Sequence, residues 1–180
     1  MTVEERQVNG GIRAGDERAE TRLSGKAWPA AWGWLYPATY AIHILEELWG
    51  GEGFIAWLAR VAGVELAARQ FLIWNALALL LMAAGVWLAS RYKSLRWLPL
   101  AYAVAFLLNA LSHLAASLYT VSYSPGLFSG LLLWLPLGAL ALVYLKPTLT
   151  RRARRAGLLV GLLIHCVVLS LTLLGGRTGI

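Results

Sequence analysis

His43, Glu46 and Glu47 lie together in the stretch HILEELWG, residues 43–50, at the end of a long apolar run. Further along, Asn75, Asn109 and His113 interrupt apolar runs of their own. Imidazole and carboxylate side chains bind transition metals and move protons near neutral pH. On an α-helix, residues three and four apart share a face. That spacing puts His43 over Glu46 and Glu47, and Asn109 under His113. Two separate segments therefore carry polar stripes.

The elements that must position these groups follow from composition. The 180 residues are 59% hydrophobic and 14% charged, with a mean hydropathy of +0.63. Soluble domains hold about 45–50% apolar and about 25% charged residues, so an integral membrane protein is expected. Crossing the hydrocarbon layer takes about 20 apolar residues as a helix. Five runs qualify: 28–49, 71–90, 97–119, 127–145 and 157–175. The predicted fold is all-α, a single membrane bundle of five transmembrane helices over residues 27–180. Residues 52–70 hold too many charges to span. Their apolar residues, Phe54, Ile55, Trp57, Leu58 and Val61, suggest an amphipathic helix on the outer surface, with Glu65 and Arg69 paired across one turn. Residues 1–26 mix both charge signs without an apolar stretch and read as a disordered cytoplasmic tail.

Within the first span, Pro37 predicts a kink before His43. Trp28, Trp32, Trp34 and Tyr36 suggest an interfacial aromatic belt. Cys166, the only cysteine, is expected as a small packed core residue. Basic residues cluster in the tail, in RYKSLR and around RRARR, so the positive-inside rule puts the N-terminus in the cytoplasm and the C-terminus outside. That clustering accounts for the net charge of +7 without a nucleic-acid partner. Membrane lipids are the expected surroundings.

A rise of 1.5 Å per residue puts His43 about 6 Å, Asn75 about 8 Å and His113 about 7 Å outward of the bilayer centre. Three helices thus bring polar groups to one layer, where ionisable side chains normally face an interior or a cavity. His165 falls about 6 Å deeper and reads as a packed core histidine. The link VSYSPG lies on the same outer side. There Pro125 fixes a turn, Gly126 permits a positive φ and Tyr123 can reach back with its hydroxyl.

The order His43-Ile44-Leu45-Glu46-Glu47, then His113, then Tyr123-Ser124-Pro125-Gly126 resembles the HXXEE family of multi-pass prokaryotic membrane proteins. The likeness covers about residues 36–145. It implies a prokaryotic cell membrane and groups these residues into one site, but the family's biochemical function is unassigned.

The favoured chemistry is a mononuclear metal site. His43, Glu46 or Glu47, and His113 would ligate Zn, Fe or Mn, leaving a position open for water. One glutamate would ligate while the other acts as a catalytic base or orients a ligand imidazole. Asn75, Asn109, Tyr123, Pro125 and Gly126 would support the site. A hydrolase or oxidoreductase acting on a lipid or isoprenoid follows from the location. The alternative is a proton relay or ligand site of a small transporter or isomerase. A third reading is a structural clasp pairing the carboxylates with Arg60 or Arg69. No phosphate loop is present, so no nucleotide cofactor is expected.

Overall fold

The structure, a computed structural model, describes residues 30–174; the tail predicted at 1–26 and Trp28 lie outside them. Among the described residues every regular element is helical. A 3-10 turn, Ala30–Trp34, leads into α1, Leu35–Trp49. Then follow α2, Phe54–Ala62, α3, Ala68–Arg91, and α4, Leu98–Thr120. The helical run α5 comprises Leu127–Ser129, a π-turn Gly130–Trp134, and Leu135–Leu145. Last comes α6, Arg151–Leu174.

Among the described residues four helices, not the five expected, are long and apolar enough to cross a membrane: Ala68–Arg91, Lys93–Thr120, Leu127–Thr148 and Arg151–Leu174. These apolar helices indicate a membrane protein. The first expected span falls short because only 15 of its residues are α-helical. Pro37 is now the third residue of α1. In a first turn the N–H has no partner within the helix, so the expected kink has no cause.

The expected surface helix over 52–70 is also shorter. Gly63 ends α2 in the left-handed conformation, φ 64°, its N–H bonded to Ala59 O. Residues 63–67 are irregular, and residues 68–70 belong to α3. Glu65 and Arg69 therefore share no helical face, and the expected pair does not form. Arg60 instead donates from Nε to both carboxylate oxygens of Glu52, at 3.0 and 3.2 Å. This guanidinium holds the Glu52 carboxyl below its ordinary range.

Helix α4 is the hub, packing on α6, α5 and α3. Half of its apolar window is buried, against 11% for α6, so α6 turns most of its surface outward. Contact there is backbone-close: a Cβ at Gly161 would lie 2.5 Å from Ala101 O, the small-residue packing that holds membrane helices together. Cys166, expected in the core, is exposed on that outward face. Tyr36, expected at an interface, is fully buried among Tyr102, Phe106 and Val86. Trp32 and Trp34 are exposed. A second cluster, built on Trp57, Leu58, Val64, Leu66 and Phe71, fastens α2 and the irregular segment to the start of α3. The core thereby brings α1, α4 and α5 together at one end, with α2 beside them.

Candidate metal centre

His43 and Glu47 project from α1 and His113 from α4, all buried. Their donor atoms lie within 4.8 Å of one another. His43 Nε2 is 3.4 Å from Glu47 Oε1, and His113 Nε2 is 3.6 Å from the same oxygen. Good N–H···O bonds span about 2.7–3.2 Å, so neither gap is a hydrogen bond. His43 Nε2 has no hydrogen-bond partner although it is buried.

Each ring is held by its other nitrogen. His43 Nδ1 lies 2.8 Å from Ser129 Oγ and His113 Nδ1 lies 3.0 Å from Ser124 Oγ. With Nδ1–H donated to Ser129 Oγ, His43 Nε2 would be the ring's lone-pair nitrogen, and it faces Glu47. The rings of His43 and His113 meet edge to face at 5.1 Å, and Trp134 covers His43 with centroids 3.8 Å apart.

Trp134 reaches that position from the end of the π-turn. Leu135 N–H bonds back to Gly130 O, five residues earlier, and Pro136 follows with no N–H to offer. A proline in an α-helix clashes with the preceding turn, and a wider π-turn accommodates it. The helix predicted at 127–145 forms at those bounds, with this widened turn at its start.

Glu46 takes a different position from Glu47. It accepts from Tyr123 Oη at 2.6 Å, from Phe128 N–H at 2.9 Å and from Ser129 N–H at 2.6 Å. The two amides belong to the first turn of α5, where N–H groups lack partners within the helix and the dipole favours an anion. The N-cap residue, Gly126, has no side chain to serve them. Burial and the neighbouring Glu46 carboxylate push the Tyr123 phenol above its ordinary range, keeping it a donor. Glu46 thus holds the loop that carries Ser124 and the helix start that carries Ser129. Through them it orients both imidazoles. Glu46→Ala should cost about 2–4 kcal/mol, from three charge-assisted bonds and the donors left bare. Faster proteolysis at residues 121–126 and a lower thermal midpoint in detergent would register the loss; unchanged cleavage would contradict this role.

Of the residues expected as support, Gly126 adopts φ +100°, and a Cβ there would lie 2.7 Å from Cε1 of both His43 and His113. Pro125 is buried beneath it. Asn75 stands apart, accepting from Tyr40 Oη at 2.7 Å and donating to Phe71 O at 2.9 Å. Asn109 is half-buried on α4, one turn before His113. His165 lies beside Ser112, Nε2 to Oγ 3.2 Å. Neither Arg60 nor Arg69 pairs with Glu46 or Glu47, so the clasp of the third reading does not form. Ser124 and Ser129 were not assigned from sequence. Ser124 stands inside the YSPG turn, the one signal that could have singled it out.

A family model described as a protein of unknown function with HXXEE motif matches residues 34–141. No curated protein and no solved structure matches the chain.

Proposed function

The chain belongs to the HXXEE-motif family of unknown function, and from the site it carries we propose that His43, Glu47 and His113 hold one divalent transition metal. Two ring nitrogens turned on one carboxylate oxygen, at 3.4 and 3.6 Å, carry this reading. Metal bonds of about 2.0–2.1 Å at a tetrahedral angle separate neighbouring donors by about 3.3 Å. The free Nε2 of His43 and the serine at each Nδ1 supply the orientation that ligand histidines need. Imidazole with carboxylate suits Zn, Fe or Mn. A three-residue set leaves a position for water or substrate, and a bound metal would act there as a Lewis acid.

The proton-relay alternative needs donor and acceptor at about 2.6–3.2 Å. It would use the same three side chains, so metal content separates the two readings.

In the same reading the site lies in the outer half of a prokaryotic cell membrane. Basic residues cluster at the links RYKSLR and RRARR, which puts those links in the cytoplasm and the VSYSPG loop and the C-terminus outside. Such a site serves a hydrolase or oxidoreductase whose substrate, a lipid or isoprenoid, arrives from the membrane.

Elemental analysis of the detergent-purified protein beside His43→Ala tests the proposal. Near-stoichiometric Zn, Fe or Mn that disappears in the variant is the expected result. Metal absent from both after reconstitution would overturn it. Ser124→Ala should keep the fold and lower metal affinity about 10–100-fold, since it loosens only the orientation of His113. Competition with a chromogenic chelator measures that change.

A further inference from the structure

Between α1, α2 and residues 63–67 lies a cavity of about 350 Å³ whose wall includes Glu47. Leu48, Phe54 and Leu66 line it, and Glu52 and Glu65 stand at its exposed rim. Its size lies at the lower end of small-molecule sites, about 300–1,000 Å³. Glu47 belongs to both the cavity and the histidine cluster, and the Phe54 ring meets His113 edge to face at 6.0 Å. A molecule seated here therefore has one end against the proposed metal centre.

The cavity's chemistry narrows the occupant. Most of its lining is apolar, which suits a hydrocarbon chain. Glu52 is neutralised by Arg60, while Glu65 forms no ion pair among the described residues. One free rim carboxylate is too few for a divalent cation, which takes about six oxygens. Phe54 lines the same cavity, so an ammonium group there would find a carboxylate and an aromatic ring, by charge and cation–π attraction. Anionic heads would meet Glu65 with like charge.

We propose that this cavity is the substrate subsite of the centre, and that it takes an amphiphile with an ammonium head and an alkyl tail. The inference builds on the metal reading and names the substrate class of that same site. Phe54 and Glu65 are then its specificity residues.

The full chain in lipid nanodiscs, titrated calorimetrically with hexyltrimethylammonium against empty nanodiscs, tests it. Saturable binding of one probe per chain is expected, with hexanesulfonate failing to bind. Glu65→Gln should weaken binding about fivefold, and Phe54→Leu by a similar factor. Glu65 is exposed in an irregular segment, so its variant should fold and keep the metal content of the wild type. Binding that is absent, equal in Glu65→Gln, or matched by hexanesulfonate would overturn the inference. Elemental analysis of the same samples reads the metal centre separately: metal present without probe binding rejects the cavity's role alone, and probe binding without metal rejects the metal reading alone.

Discussion

Glu47→Gln should lose stoichiometric metal while Glu46→Gln retains it, although the two residues are adjacent and chemically identical. Glu47 Oε1 faces Nε2 of both histidines and is the only anionic donor in the cluster. Structural zinc sites with four ligands bind with about 10–16 kcal/mol, so one ligand contributes about 3–4 kcal/mol, about 10²–10³-fold in affinity. Replacing the carboxylate by an amide also leaves the metal's charge unbalanced in a buried place. Glu46 spends its oxygens on Tyr123, Phe128 and Ser129 instead. Its amide variant keeps one acceptor oxygen, so affinity should fall about 10–100-fold, the range for groups that orient ligands. Metal stoichiometry and chelator competition on the two variants decide the assignment. Equal losses, or a larger loss in Glu46→Gln, would reverse the roles given to the pair.

Gly126→Ala should be the most damaging single-methyl change at the centre. Its φ of +100° is strained for any residue with a Cβ, and that Cβ would lie 2.7 Å from a ring carbon of each histidine. Left-handed strain costs about 1–2 kcal/mol. Overpacking a filled interior costs about 1–3 more. The internal control is Gly63→Ala. Gly63 is also left-handed, at φ +64°, but a Cβ there would meet nothing within 4 Å. It should cost the backbone term alone and leave metal binding untouched. Thermal unfolding in detergent and metal content, measured on both variants, separate strain from collision. If the two variants behave alike, the close approach of Gly126 to the imidazoles carries no weight.

Much of the site was legible before any coordinates. An ionisable group in an apolar helix needs a polar partner; depth put His43 and His113 in one layer, and their rings meet. The turn chemistry of YSPG allowed a positive φ at Gly126 and a reach-back by Tyr123, and both are present. Depth failed for Asn75 because a layer holds several partners, and Tyr40, on the same α1 as His43, took it. Helical periodicity failed at residues 52–70 because the glycine at 63 stops the helix, and a charge pair worth a few tenths of a kcal/mol cannot keep it going.

Composition and spacing set the apolar helical architecture and the small group of polar residues that had to be brought inside it. Burial energetics operate on composition and spacing, so both can be read along the chain. The division of labour between Glu46 and Glu47 was decided only by tertiary structure. Adjacent helical positions diverge by about 100°, and which direction meets histidines and which meets a loop depends on where α4 and α5 pack. The serines behind the histidines are of the same kind. A hydroxyl has no preferred partner in sequence; Ser124 and Ser129 acquired theirs when the Tyr123–Gly126 loop and the start of α5 were drawn onto α1 by Glu46.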